Sequence, residues 1–176
     1  MSDKIVFMGT PSISSQILKS LYQNGFNVEV VYTQPPIASN RGHKVNKSPV
    51  HIMSEILNIP VRAPIQFNSS EEKDFLKSRD IGLGIVVAYG QILTKDFLNI
   101  PKYGWINIHY SLLPKLRGAA PIQRAIMNND TLTGISIMKI NEGLDTGPVC
   151  NQYPIKILKN ENSEELSQRH KIKHYK

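Results

Sequence analysis

The chain has 176 residues, 40% of them hydrophobic and 20% charged, a composition that suits one globular domain with a buried core. The longest apolar stretches, such as Leu83 to Tyr89, fall well short of the roughly 20 residues a membrane-spanning helix needs. No apolar signal segment follows Met1, and the single cysteine, Cys150, excludes an internal disulfide framework. Lysine and arginine outnumber aspartate and glutamate by 21 to 14, a formal charge of +7, so the surface should attract polyanions such as RNA. Four of those bases lie in Arg169 to Lys176, which reads as a solvated tail. A soluble cytoplasmic chain without a membrane partner is expected, and a monomer is the simplest assembly.

Lys4 to Gly9 is a short apolar run ending in glycine. Thr10-Pro11 then looks like an N-cap followed by proline at the first helical position, opening a helix to about Asn24. Gly25 would end that helix, and Val28 to Thr33 reads as a second strand, giving a β-α-β start. Gln34 to Lys47 carries two prolines, Asn40, Gly42 and the basic or imidazole groups of Arg41, His43, Lys44 and Lys47 without periodicity, which predicts a long exposed loop. Ser48-Pro49 repeats the cap signal for a helix to about Asn58, followed by a short strand near Val61 and a helix over Ser70 to Ser78. The unbroken apolar run Leu83 to Ala88 suits a central parallel strand covered on both faces. Strands are expected over Trp105 to Tyr110, Ile135 to Ile140 and Val149 to Ile157, with a helix from about Ala120 to Asn128. This alternation predicts an α/β fold, an open mostly parallel Rossmann-like sheet with helices on both faces.

The turn Gly9-Thr10-Pro11-Ser12 lacks the G-x-G-x-x-G of a dinucleotide site, so a glycine serving a tight turn is favoured over a nicotinamide cofactor. Asn107 and His109, two apart on a strand, project from one face near its end. The loop Ser111-Leu112-Leu113-Pro114 leaves that end, where ligands of open α/β folds bind. Glu142 to Gly147 brackets Asp145 with glycines. That aspartate could either join the polar pair or make an Asx-turn to its own backbone. Trp105, Met127 and Met138 read as core residues, whereas Tyr89 invites a stacking role. His43, His51, His170 and His174 show no ligand spacing, and no metal is expected.

Asn107 to Pro114 (NIHYSLLP) followed by Asp145 in EGLDTG is similar to the signature of folate-dependent formyltransferases. Within these, Arg117 to Ile126 (RGAAPIQRAI) resembles the methionyl-tRNA formyltransferase branch. The resemblance extends to FMGTP near the start, TQPP at Thr33 to Pro36, NKSPVH at Asn46 to His51 and VVAYGQIL at Val86 to Leu93, and covers about Lys4 to Val149. It implies a catalytic trio of Asn107, His109 and Asp145. It also implies a folate site formed by Ser111, Leu112, Leu113 and Pro114 with backbone of Val87, Ala88, Tyr89, Gly90, Gln91 and Ile92. The implied formyl donor is 10-formyltetrahydrofolate as cosubstrate, and the acceptor is the α-amino group of initiator methionyl-tRNA. Arg41, Lys44 and Lys47 are candidates to meet tRNA phosphates. Arg117 is a further candidate, whose alternatives are the acidic tail of folate and a structural carbonyl.

Family members continue into a small C-terminal β-barrel domain. The expected organisation is therefore a catalytic domain over residues 1–158, a truncated helix capped at Ser163 with a basic tail over 159–176, and no barrel. The alternatives are a formyltransferase with a small acceptor, glycinamide ribonucleotide or an amino-sugar nucleotide, and a non-catalytic remnant that binds folate or RNA. An oxidoreductase is more distant.

Overall fold

The first strand of the computed structural model, β1 (Lys4–Gly9), is buried along nearly its whole length and pairs in parallel with two others, β2 (Val28–Tyr32) and β6 (Ile81–Val87). The structure describes residues 3–38 and 45–172, with the side chains of 37, 38, 45, 171 and 172 excepted. The described residues fall into two compact units, divided between Trp105 and Ile106.

In the first unit the strand order is β5-β2-β1-β6, all parallel, with β5 at Val61–Arg62. The helices α1 (Ser12–Gln23), α2 (Pro49–Ile56) and α3 (Ser70–Lys77) connect these strands, and a short α4 (Lys95–Leu98) follows β6. The α/β class read from the sequence holds. Ser48 caps α2 as expected, accepting from the His51 N–H with Pro49 in the first turn, and Ser69 caps α3 by accepting from the Glu72 N–H. The start of α1 differs from the reading above. Pro11 is its N-cap, without a side-chain cap bond, because the Thr10 hydroxyl donates instead to the Tyr89 carbonyl at 2.9 Å. Part of the segment expected to be a featureless loop is also ordered: β3 (Ile37–Ala38) pairs antiparallel with β4 (Val45–Asn46).

Packing in this unit centres on aromatic rings. Phe67 meets Tyr32 and Tyr89 edge-on, at 5.0 and 5.9 Å between centroids, and lies 4.6 Å from Phe97. Trp105 is 1% exposed and its indole N–H donates to the Phe97 carbonyl at 2.8 Å, which confirms its core assignment. Its ring lies where a side chain at Gly84 would stand, so the strand needs glycine there.

The second unit carries β7 (Trp105–His109) from Ile106 on, α5 (Pro121–Met127), β8 (Leu132–Lys139), β9 (Val149–Lys156) and α6 (Ser163–Ile172). Here β7 pairs with β8 and β8 with β9, both antiparallel. Met138 is buried as expected. Met127 is 78% exposed: it ends α5 and faces solvent, which corrects its assignment to the core.

The last helix packs against α5 and is capped one residue earlier than expected. The Asn162 side chain accepts from the N–H groups of Glu164 and Glu165, and Glu165 accepts in return from the Asn162 N–H, a reciprocal capping box. Burial works against ionisation of Glu161, but hydrogen bonds from Arg169 and from the Leu158 N–H outweigh it and hold this carboxyl below its usual range.

His170, part of the segment read as a solvated tail, is fully buried; its ring meets Tyr110 edge-on at 5.7 Å and Nδ1 donates to the Leu166 carbonyl at 2.7 Å. Burial lowers the imidazole pKa, overriding the backbone carbonyls that favour its charged form. Below about pH 6.5 the unfolded chain binds a proton here that the folded chain resists. The stability tied to neutral His170 is therefore present above that pH and lost as the pH falls toward the depressed folded value. Thermal unfolding should show a lower midpoint at pH 5.5 than at 7.5, and His170→Gln should flatten that difference. An equal slope in both proteins would assign it elsewhere.

Candidate active site

Strand alternation places Asn107 and His109 on one face of β7, and β8 delivers Ser136 opposite His109 while β9 delivers Gln152 opposite Ser136. The loop that leaves β7 then turns back on this row. Ser136, fully buried, donates to the Ser111 carbonyl at 2.7 Å and accepts from the Leu113 N–H at 3.0 Å and from Gln152 Nε2 at 2.9 Å. Gln152 also donates to the Leu113 carbonyl at 2.9 Å, and the Ser111 hydroxyl donates to the Lys115 carbonyl at 2.6 Å. Leu113 is buried, Leu112 half-buried and Pro114 exposed, with a cis peptide joining Leu113 to Pro114. The segment Ser111 to Pro114 is thus held by its own backbone. Ser136 and Gln152, which do this, carried no signal in the sequence beyond their positions on strands.

Asp145 comes from the connection between β8 and β9, and its backbone is left-handed, with φ of 49°. An Asx-turn does occur in this connection, but Asn141 makes it, accepting from the Gly143 N–H and the Thr146 hydroxyl. The Asp145 carboxylate is thereby available to other partners. It accepts from the Gly118 N–H at 2.7 Å and from Asn107 Nδ2 at 3.3 Å, and Oδ2 lies 3.6 Å from His109 Nδ1. The connection needs glycine at 147 because a side chain there would overlap the Lys139 backbone.

His109 is 6% exposed. Its Nε2 donates to the Leu116 carbonyl at 2.9 Å, so the two ring nitrogens face two different oxygens, one on each side of the imidazole. An amide, an imidazole and a carboxylate gathered in this way can donate hydrogen bonds to a developing oxyanion and accept a proton from a nucleophile. Among the described residues no group of three or more His, Cys, Asp or Glu is arranged to hold a metal ion.

The other candidate residues lie as follows. In the first unit, Val87 ends β6, and Ala88 and Gly90 have positive φ of 47° and 93°. Between them the Tyr89 carbonyl accepts from Thr10 Oγ1 and, at 3.1 Å, from Gln34 Nε2. The Tyr89 ring is buried against Phe67, which leaves it no face for a stacking partner. Gln91 is used by its own unit: its Oε1 accepts from the Phe67 N–H and its Nε2 donates to the Pro64 carbonyl. Ile92 is exposed. Arg41 and Lys44 lie outside the described residues. Lys47, just before α2, pairs with Glu55 in the last turn of that helix, and that contact holds the Glu55 carboxyl below its usual range. Arg117 is exposed and its carbonyl accepts from Arg124 at 2.6 Å.

Residues 3–176 match the family model described as formyl transferase. The chain is 58% identical over 168 residues to the methionyl-tRNA formyltransferase of Pelagibacter ubique (strain HTCC1062), covering 95% of this chain and 54% of that protein. To the methionyl-tRNA formyltransferase of Caulobacter vibrioides it is 43% identical over 163 residues, covering 93% of this chain and 53% of that protein. The chain spans about half the length of the curated relatives it matches. Among solved structures, glycinamide ribonucleotide transformylase 1 from Geobacillus kaustophilus is similar with a TM-score of 0.80 at 24% identity, over 99% of this chain and 94% of that one. A formyltetrahydrofolate deformylase from Pseudomonas syringae is similar with a TM-score of 0.76 at 20% identity, over 97% of this chain and 57% of that one. At these identities the two structures show a shared fold.

Proposed function

Because the chain belongs to the formyl transferase family, we propose that it transfers a formyl group from 10-formyltetrahydrofolate to the α-amino group of methionine esterified to initiator tRNA. The observation that carries the chemistry is the meeting of Asn107, His109 and Asp145 around one carboxylate. The choice of acceptor follows the names of the relatives that match at 58% and 43% identity.

The attacking amine, with a reference pKa of about 7.7 to 8.0, is partly neutral at physiological pH and needs no strong base. The harder task is the charge that develops on the formyl oxygen as the new N–C bond forms. In this proposal the second N–H of Asn107 Nδ2 and the N–H of His109 Nδ1, which lies 3.6 Å from Asp145 and outside hydrogen-bond distance, are the donors for that oxygen. Asp145 orients both and accepts the amine proton, directly or through water; protonation of the folate nitrogen accompanies cleavage of its bond to the formyl carbon. The Gly118 N–H supports this role by holding the carboxylate in place at 2.7 Å. In the same proposal Ser111 to Pro114 in the second unit are candidates to contact folate, and so is the backbone of Val87 to Ile92 in the first. Arg41, Lys44, Lys47 and Arg117 are the candidates for tRNA phosphates, and a monomeric cytoplasmic enzyme belongs to the same reading. Among the described residues no helix is long and apolar enough to cross a membrane.

The test is formyl transfer by the purified chain from 10-formyltetrahydrofolate to methionyl-initiator tRNA, run beside glycinamide ribonucleotide as acceptor. Transfer to the aminoacyl-tRNA alone is expected. Transfer to the ribonucleotide alone would reassign the acceptor, and folate binding without transfer to either would make the chain a binding protein.

A further inference from the structure

Arg124 lies on α5, half-buried, and among the described residues it pairs with no carboxylate. Its Nε is buried without a hydrogen-bond partner, and Nη2 donates to the backbone carbonyl of Arg117 at 2.6 Å. Ordering a long arginine side chain sacrifices much of its rotamer freedom, and at this position no ion pair compensates. The contact that orders it falls on the middle of a three-residue turn.

That turn touches both members of the His109–Asp145 pair. Leu116 supplies the carbonyl that accepts from His109 Nε2 at 2.9 Å, and Gly118 supplies the N–H that donates to Asp145 Oδ2 at 2.7 Å. The two residues are left-handed, with φ of 54° at Leu116 and 83° at Gly118. Glycine adopts this conformation freely, but leucine does so against steric resistance. A strained turn of this kind persists when its surroundings over-determine it, and a contact on the intervening peptide adds to the two at its ends. The Arg124 guanidinium is placed to make it, since a Cβ built on Gly118 would lie 3.7 Å from its Nη2 and 3.5 Å from Leu144.

From this arrangement we infer that Arg124 is a positioning residue for the transfer reaction. Through the carbonyl of Arg117 it fixes the turn that sets the imidazole of His109 and the carboxylate of Asp145 in relation to each other. The inference rests on the roles proposed above for that pair. It assigns Arg124 no contact with either substrate. Arg117 enters it through its backbone, whichever way its side chain is used.

Two variants and two readouts test it. Arg124→Ala removes the donor, and Arg124→Lys keeps one hydrogen-bonding cation that can reach a single carbonyl. In Arg124→Ala, kcat should fall about tenfold or more, as expected of a misplaced catalytic pair, with the KM of both substrates unchanged within about twofold. Arg124→Lys should recover a measurable part of that loss. Independently of turnover, NMR should show the Gly118 amide losing its carboxylate-bonded shift and exchange protection in Arg124→Ala, with altered His109 ring-nitrogen resonances and unchanged amides along β8. Unchanged Gly118 and His109 signals in Arg124→Ala would overturn the inference. So would a raised KM for tRNA at constant kcat, which would make Arg124 a phosphate contact. If the parent chain transfers no formyl group, the proposed function fails, and the NMR readout alone decides whether Arg124 holds the turn.

Discussion

Replacing His109 with alanine is expected to lower kcat for formyl transfer about a hundred- to a thousandfold, the loss of about 2.7 to 4 kcal/mol that follows removal of one preorganised donor to a developing oxyanion. The size of the effect depends on the ring being fixed before substrate arrives. His109 is buried, Nε2 is committed to the Leu116 carbonyl, and Nδ1 is directed toward Asp145. A buried ring anchored at Nε2 loses little freedom in the transition state, so its deletion removes stabilisation that water does not replace. The fold should lose about 1 to 3 kcal/mol, the principal cost being one carbonyl left without its donor. Asn107→Ala should act in the same direction. The double variant should lose much less than the product of the two single losses, since both residues serve one charge and share Asp145. Steady-state kinetics on variants with parent-like circular dichroism decide the matter. A loss below about tenfold in both single variants would remove these residues from the chemistry.

Much of the first unit is legible in the sequence because local signals there agree with one another. Ser48-Pro49 caps a helix in the structure as it does on paper, Gly25 is left-handed just beyond α1, and the apolar run ending at Val87 is a buried parallel strand. Strand direction in the second unit was less accessible. Ile135 to Ile140 is apolar whichever way its neighbours run, and hydrophobicity carries no sign for parallel or antiparallel pairing. The inner face of helix α6 is hidden for a related reason: His170 and Leu166 are buried, and a histidine among lysines reads as polar when it is core.

The polar pair on β7 was visible from spacing two apart, and its third member was not decidable from spacing alone. Asp145 and Asn141 are both suited to an Asx-turn, and which one takes it depends on a backbone path set by packing around Gly147. The turn at Leu116 to Gly118 was hidden for a similar reason. Its partners are main-chain groups, which every residue possesses, and only the fold shows which of them reach His109 and Asp145. Lys47, a base that counts toward a polyanion surface, also has a carboxylate beside it in Glu55, eight residues on, a pairing that the sequence alone does not single out.

Glu72→Ala should be strongly destabilising in the first unit, costing about 3 to 5 kcal/mol, as expected when one partner of a buried ion pair is removed. The side chain is 4% exposed in the first turn of α3, where the helix dipole favours its charge. Its Oε2 accepts from the Tyr32 hydroxyl and from Arg62 Nε, both at 2.7 Å, and its Oε1 accepts from Arg62 Nη2 at 2.8 Å. One carboxylate therefore joins α3 to β2 and β5. Its hydrogen bonds hold the Arg62 guanidinium above its ordinary pKa, while burial, reinforced by Glu72, raises that of the Tyr32 phenol. Without Glu72 the arginine keeps a partly buried charge over the Phe75 ring with, among the described residues, only the exposed Glu71 as acidic partner, and the phenol loses its acceptor. Against a typical domain stability of about 5 to 15 kcal/mol, such a loss leaves little margin. The triple variant Tyr32→Phe, Arg62→Leu, Glu72→Leu should recover most of it, because apolar groups of similar volume avoid the desolvation that the charges require. Urea unfolding of the parent, the single and the triple variant separates the contributions. A Glu72→Ala cost under about 1 kcal/mol would mean that water reaches the pair, and a triple variant no better than the single would place the loss in packing.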